Sequence, residues 1–365
     1  MSLLGCFVEK LAFRKEVVMK KMRVGAVNWD ASLPPDTYFG YYQINSLSSE
    51  NYREWTPFYA DIIDNERMSY HLRTPEEYER EMQYAIDAGI DYFAFVWYPD
   101  EGSRAHEKTS FNDCSHKVYE LNYARHLYEK TALKEKLGMC AILGAHPFTD
   151  NELEELARAF REPYYEKIDG KPLLYVYGGY REEIIEKIHA MCRAKGQPEP
   201  FTVPMVTNAD GSEGMMLASA LSAYAVGGSG ESFDKLIDSA ITANKGRITD
   251  SLALIPTFTV GWNPTPRIDR PTPWTTLSSG GSIYADVAYA PRATDDELIS
   301  GARKFVEFLN GPDAPHLVGH ILTFAWNEFE EGGFICPTYT KRGDINTSRI
   351  STFAQVSRIF KTKIL

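Results

Sequence analysis

Cysteine is scarce in this chain of 365 residues, and the five present (Cys6, Cys114, Cys140, Cys192 and Cys336) are odd in number, scattered, and never arranged as Cys-x-x-Cys. A disulfide framework and a cysteine-built zinc centre are therefore not expected, and a reducing compartment fits best. Long apolar runs are missing as well. No stretch approaches the roughly 20 residues that span a bilayer. The opening twenty residues are interrupted by Glu9, Lys10, Arg14, Lys15 and Glu16 and lack a small-residue cleavage site, so no signal peptide is read and a cytoplasmic protein is expected. Basic charge is also in short supply. With 39 basic against 50 acidic residues and a net charge of −11, the chain offers no electrostatic footprint for nucleic acid or an anionic membrane. No Gly-x-Gly-x-x-Gly follows the first predicted strand, and the stretch Gly227-Gly228-Ser229-Gly230 does not lead into Lys-Ser or Lys-Thr. Nucleotide phosphate binding is set aside on that ground.

Aromatic residues are plentiful at 13%, including 22 tyrosines. Tyr and Trp join a flat apolar face to a polar rim, which suits the faces and hydroxyls of sugars as well as ordinary packing. The backbone pattern is one of alternation. Lys21 to Asp30 reads as a strand, and Thr74-Pro75-Glu76-Glu77 opens a helix with a cap, a proline at its first position and a capping-box acid. Ile90 to Pro99 is a nearly continuous apolar run of the kind found in strands buried on both faces. Further strands are predicted over 139–148, 172–178, 201–207, 223–227, 252–260 and 317–324. Helices are predicted over 119–136, 151–161, 181–195, 212–220, 231–244, 294–309 and from Thr347 to about Lys361. Eight strands alternating with helices imply a parallel sheet closed into a (β/α)8 TIM barrel with long βα loops, in the class α/β. One barrel domain is expected over 21–365, with 1–20 an N-terminal extension outside it.

Barrels of this kind keep their chemistry at the carboxyl ends of the strands. Those ends carry Asn28-Trp29-Asp30, Trp97-Tyr98, His146, Tyr177, Asn208, the glycine-rich stretch from 227, Gly261-Trp262-Asn263 and Trp326-Asn327-Glu328. A rim of indole, phenol, amide and carboxylate is what a polyhydroxylated ligand needs, since stacking and forked hydrogen bonds together set its orientation. Reactive groups concentrate after the last strand, in Trp326-Asn327-Glu328-Phe329-Glu330-Glu331-Gly332-Gly333. Glycosidic cleavage employs one protonated carboxyl and one ionised carboxylate. Glu328 and Glu331 are the candidates, and Glu330 is expected to face solvent while its charge raises a neighbouring pKa. Arg267, in the proline-punctuated loop 261–291, either binds an acidic sugar or phosphate or holds that loop by a salt bridge. His146 serves as acid/base, as a hydrogen bond to a sugar hydroxyl, or as a structural partner. No histidine and carboxylate cluster has metal spacing, so no metal and no cofactor is expected.

The stretch from Trp326 to Gly332 resembles the Asn-Glu-Trp-x-Glu-Gly signature of the family 99 glycoside hydrolases and the related WbsX-type proteins. Gly89-Ile90-Asp91-Tyr92-Phe93 with Trp97-Tyr98, Gly170-Lys171-Pro172-Leu173-Leu174, and Gly261-Trp262-Asn263 with Thr265-Pro266-Arg267 are similar to the same group and occur in its order. The resemblance implies a (β/α)8 barrel and, for the hydrolase members, retaining endo-action on α-mannosides. Glu328 matches the glutamate that deprotonates the substrate's own 2-hydroxyl, and Glu331 the general acid that becomes a base. Two positions depart from the pattern: Phe329 replaces a Trp, and Cys336 stands where relatives carry a glutamate before proline. The remaining rim residues, Trp29, Asp30, Trp97, Tyr98, His146, Tyr177, Asn208, Trp262, Arg267, Trp326 and Asn327, are expected to bind the carbohydrate. Two other outcomes stay open: a carbohydrate-binding barrel without turnover, and a WbsX-type glycosyltransferase of surface polysaccharide synthesis.

Overall fold

The computed structural model describes residues 22–98, 121–212, 214–228, 232–312 and 314–364. The expected extension over 1–20, Cys6, Cys114, Ser229, Gly230 and the first residues of the helices expected from 119 and 231 lie outside that set. Among the described residues, nine strand segments form the barrel wall: β1 (Arg23–Asn28), β2 (Tyr92–Trp97), β3 (Gly138–Leu143), β4 (Lys171–Val176), β5 (Phe201–Pro204), β6 (Ala220–Leu221), β7 (Ala253–Leu254), β8 (Thr257–Thr259) and β9 (His320–Phe324). One parallel ladder runs β8, β9, β1, β2, β3, β4, β5. The gap between β5 and β8 is closed by β6 and β7, which pair in parallel. Ser222, just after β6, donates its N–H to the Pro204 carbonyl at 3.0 Å, and its own carbonyl accepts from Val206 N at 2.9 Å, which ties β6 to β5. Leu254 N donates to the His316 carbonyl at 2.8 Å ahead of β9. Together β7 and β8 are one stave broken at Pro256, which has no N–H to give but whose carbonyl still accepts from Leu322 at 3.0 Å. The (β/α)8 barrel read from the alternation is therefore present, with every stave parallel.

The helices that cover it are α1 (Tyr38–Leu47), α2 (Pro75–Asp87), α3 (Tyr123–Lys130), α4 (Asp150–Ala159), α5 (Glu182–Ala194), α6 (Phe233–Lys245), α7 (Thr265–Asp269), α8 (Asp295–Leu309) and α9 (Ser348–Lys363). Complete capping boxes start α2, α4 and α8, from Thr74 with Glu77, Thr149 with Glu152, and Thr294 with Glu297. Two expectations fail between β5 and α6. The described residues of the helix expected over 212–220 form none: a 3-10 turn at Ala209–Ser212 is followed by irregular chain from 214, with Met216 83% exposed. Leu217 packs against the core from irregular chain, and Ser219 N is drawn to the Thr202 carbonyl at 2.8 Å, which takes the backbone into the barrel ladder and not into a helix. The sixth stave is consequently β6, three residues ahead of the strand expected from 223, so Tyr224 falls past the end of the stave and not inside it.

The barrel interior is filled by large side chains that small ones accommodate. A Cβ on Gly25 would lie 2.1 Å from the Tyr92 ring, so only glycine lets that ring into the axis. The Tyr92 hydroxyl meets the Tyr175 hydroxyl at 3.1 Å, and the Tyr92 ring packs 5.8 Å from His320. At the amino end of the staves Glu166 accepts from Arg23 Nε at 2.5 Å and Nη2 at 2.6 Å and meets His320 Nε2 at 2.8 Å, joining the chain near β3 and β4 to β1 and β9. Burial pushes the Glu166 carboxyl up, but the His320 and Arg23 hydrogen bonds outweigh it and hold the carboxyl below its ordinary value. A group lowered in this way stabilises the fold above its unfolded pKa and loses that contribution as pH falls through the folded value. Glu166→Gln should lower stability by about 1–3 kcal/mol at neutral pH. Its melting temperature should converge on that of the parent below about pH 4, as followed by thermal denaturation across pH.

Candidate active site

The last stave ends in a buried acid corner. After β9 the chain forms a two-residue strand, Asn327–Glu328, antiparallel to Gly333–Phe334, with a 3-10 turn at Phe329–Glu331 between them. Gly332 closes that turn at φ +69°, a left-handed conformation that favours glycine. The Glu331 carbonyl accepts from Asn263 N at 2.7 Å, which fastens the corner to the loop after β8.

All three glutamates point to one guanidinium. Arg267, on the short helix α7, is 4% exposed. Its Nη1 hydrogen-bonds Glu331 Oε1, its Nη2 lies 3.3 Å from Glu330 Oε2, and the same Nη2 is 3.7 Å from Glu328 Oε2. Each glutamate also has partners of its own. Glu328 Oε1 accepts from the Tyr224 hydroxyl at 2.6 Å, and Glu331 Oε1 from the Tyr284 hydroxyl at 2.8 Å. Glu330 Oε2 accepts from Gln43 Nε2 at 2.9 Å and Oε1 from Ser46 Oγ at 3.1 Å, both on α1. Glu330 is 0% exposed, which corrects the expectation that it faces solvent: a carboxylate at the base of the corner meets α1 and α7, not water.

Burial, reinforced by the Glu331 charge and only partly opposed by Arg267 and Tyr224, pushes the Glu328 carboxyl up to about 8. The Tyr224 hydroxyl, buried beside Glu328, is pushed well above its ordinary value, so it remains a donor. Arg267, despite its burial, is held well above the ordinary arginine value by Glu331, Glu330 and Glu328 together, and stays charged.

The predicted rim residues separate into those around this corner and those apart from it. Trp29 lies under Arg267, with the guanidinium carbon 5.5 Å from its ring, and donates through Nε1 to the Tyr98 hydroxyl at 2.8 Å. His146 packs 5.1 Å from the Tyr98 ring. Tyr177 is 44% exposed and stacks 4.6 Å from Tyr224, which places it one ring away from Glu328. Trp262 packs 5.8 Å from both Tyr284 and Phe324. Asn327 is a clamp inside the corner: its Oδ1 accepts from Trp29 N at 2.9 Å and its Nδ2 donates to Asn28 Oδ1 at 3.1 Å.

Three others are committed below the surface. Asp30 is ion-paired to Arg73 at 2.6 Å, Trp326 is buried and donates to Glu81 at 2.8 Å, and Trp97 is buried with Arg125 stacked 3.9 Å over its ring. Asn208 stands apart, exposed in an open groove of about 630 Å³ shared with Lys235, Asp238 and Thr242 on α6. Cys336 is buried, and its thiol is pushed well above its ordinary value by burial and by Glu81.

Sequence reasoning passed over Tyr224, Tyr284, Gln43 and Ser46. Tyr224 was hidden by the misplaced sixth strand, since a residue past the end of a stave belongs to the rim. The others sit in irregular chain or on a helix with no pattern pointing to the acids. The glycines after β6 have a clear role: a Cβ on Gly227 would fall 2.6 Å from the Trp262 ring, and one on Gly228 would fall 1.7 Å from the Ala288 carbonyl. The bare backbone lies flat on the indole and holds it beside Tyr284.

The chain is thus a closed parallel barrel whose last stave ends in buried acids ringed by tyrosine and tryptophan. No family model matches the chain, and no curated protein does. Solved structures do. The GH99 endo-alpha-mannosidase from Bacteroides thetaiotaomicron in complex with bis-tris-propane superposes over 93% of this chain and 98% of its own, with TM-score 0.55 and 12% identity. A second structure of the GH99 endo-alpha-mannosidase from Bacteroides thetaiotaomicron covers 84% of this chain and 85% of its own, with TM-score 0.50 and 14% identity. The chain thus has a fold like that of the family 99 endo-α-mannosidases.

A buried carboxyl raised to about 8 stabilises the fold only while it holds its proton, so that contribution declines as pH rises from the unfolded value to the folded one and is gone above it. Glu328→Gln removes the ionisation. The variant should gain on the parent as pH rises from about 4.5 toward the folded value, by on the order of 5 kcal/mol by the alkaline end, read as a widening difference in denaturation midpoint. An equal difference at every pH would contradict the assignment.

Proposed function

We propose that the chain is a glycoside hydrolase that cleaves a glycan with Glu328 and Glu331 as its reacting carboxyls. The observation that carries the reading is the pairing itself. Two glutamates on one buried turn share Arg267, yet each is held by its own tyrosine, and burial keeps one of them protonated near neutral pH. Such a pair, with one carboxyl neutral and the other bonded directly to an arginine, is the division of labour that glycosidic cleavage requires.

Glu328 is a strong base once its proton has left, because its raised pKa means high proton affinity, and a base tuned toward neutrality suits abstraction from a hydroxyl. This agrees with the role implied by the resemblance, in which Glu328 deprotonates a sugar 2-hydroxyl and Glu331 protonates the leaving oxygen. In the ligand-free site the proton of the pair rests on Glu328, so it must pass to Glu331 before the bond breaks. A sugar that drew Arg267 away from Glu331 would favour that transfer. Trp29, Tyr98, His146, Tyr177 and Trp262 would form the walls against which the sugar faces pack. An α-mannoside cleaved with retention and endo-action is the specific substrate and outcome favoured by the similarity to the endo-α-mannosidases. The convergence of both acids on one arginine, with Glu331 6% exposed, favours turnover over a barrel that only binds.

A hydrolysis screen over α-mannans and bacterial surface glycans tests the proposal. Wild type should release oligosaccharides from one of them, and Glu328→Gln, folded by thermal denaturation, should lose at least about 10²–10⁴ in kcat. Full activity of that variant on a substrate cleaved by the wild type would sink the assignment. On the same substrate, kcat/KM should decline with a limb near pH 8, where the ligand-free pair gives up its proton.

A further inference from the structure

Glu330 is the one acid of the corner left without a chemical task, and it is the most deeply buried of the three. Burying a third carboxylate beside two others is costly unless it does something there. Both of its oxygens are held by α1, and one of them also faces α7. Oε1 takes the Ser46 hydroxyl, while Oε2 takes the Gln43 amide at 2.9 Å and faces Arg267 Nη2 at 3.3 Å. Gln43 is anchored in turn, because its Oε1 accepts from Ser32 Oγ at 3.0 Å and Ser32 accepts from the Tyr59 hydroxyl at 3.1 Å. This places Glu330 on a braced relay running from the barrel corner into α1. The guanidinium nitrogen it faces is the same one that lies 3.7 Å from Glu328, beyond hydrogen-bonding range.

We propose that Glu330 is a positioning residue: braced by Gln43 and Ser46, it holds Arg267 Nη2 to its own side, so that the guanidinium serves Glu331 and leaves Glu328 outside hydrogen-bonding range. The inference rests on the reading of Glu328 and Glu331 as the reacting pair, but its test needs no substrate. The charged and titratable groups facing Glu328 are Glu331, Arg267, Tyr224 and Glu330, with Tyr177 stacked on Tyr224. Those facing Arg267 are the three glutamates and Tyr284. Among these, only Glu330 competes for Nη2 without being one of the reacting pair.

Glu330→Gln keeps the shape and the oxygen that accepts from Gln43, and the Ser46 hydroxyl can turn to accept from the new amide, while the negative charge on Arg267 Nη2 is lost. That nitrogen is then free to close on Glu328. Gln43→Leu acts in the opposite sense. It removes the donor that shares Glu330 Oε2, so the carboxylate pulls harder on Arg267 and draws it further from Glu328. The readout is the carboxylic acid C=O band of Glu328 in infrared difference spectra of the whole protein, assigned by its absence in Glu328→Gln and followed as a function of pH.

Glu330→Gln should move that titration to lower pH by about one unit or more, and Gln43→Leu should move it higher. Shifts of opposite sign are the discriminating result, since loss of packing alone would not reverse direction between the two. If folded Glu330→Gln titrates as the wild type does, the proposal is overturned. If Glu330→Gln does not fold, Gln43→Leu decides alone, and an unchanged or lowered titration there overturns it. Both measurements remain valid on a protein that cleaves nothing, so failure of the hydrolase reading and failure of this one are told apart.

Discussion

One guanidinium buried among three carboxylates is the interaction on which the rest of this site depends. Without Arg267 the turn at Phe329–Glu331 would hold three uncompensated acids out of water, at a cost of several kcal/mol for each ion. With it, the charges are unequally served. Glu331 takes a direct hydrogen bond, Glu330 a longer contact, and Glu328 only proximity. Inequality is what separates the chemical character of otherwise identical side chains. A symmetric arrangement would leave both candidate catalytic acids in the same protonation state, and such a pair performs neither half of an acid–base reaction well.

The barrel delivers that arginine and those acids to one place. Arg267 comes from the loop after β8, the glutamates from the end of β9, the brace on Glu330 from α1, and the tyrosine on Glu328 from the end of β6. These elements are far apart along the chain, with Gln43 and Glu330 separated by 287 residues. Only a closed ring of parallel staves brings four such loops to one end. Glycine does the fine fitting at two levels. Gly25 admits the Tyr92 ring to the barrel axis, and Gly227 with Gly228 lets backbone lie against Trp262. A second buried charge network, Arg73 with Asp30 and Glu81, fixes the end of β1 and the Trp326 indole just behind the acids. Asp30 and Trp326, which sequence position alone places on the rim, therefore serve as the floor beneath it.

Much of this was legible in the chain itself. A capping box announced α2, nearly unbroken apolar runs announced β2 and β9, and the alternation of strands and helices announced a parallel barrel. Glu328 and Glu331 stood out because acids that follow directly on a buried strand have to be compensated. The stretch between β5 and α6 was misread for a physical reason. β6 is only two residues long and lies inside an apolar stretch from Met215 to Val226 broken only by Ser219 and Ser222, so hydrophobicity alone does not mark where the stave begins and ends. Moving that stave by three residues took Tyr224 out of view.

The amino-acid sequence by itself determined the closed barrel, the corner at which acids and aromatics would gather, and the identity of the two glutamates proposed to react. The barrel and the corner follow from periodicity, capping and the cost of burying charge, which are local and act on each segment separately, while the choice of two glutamates among three also rested on the resemblance to the family 99 signature. Tertiary structure alone decided that Glu330 is buried, that Arg267 is shared three ways, and that Tyr224 and Tyr284 each hold one acid. Those outcomes depend on distances between side chains from different loops, and a hydrogen bond is made or lost over the few tenths of an ångström that separate Glu330 from Glu328 around one guanidinium.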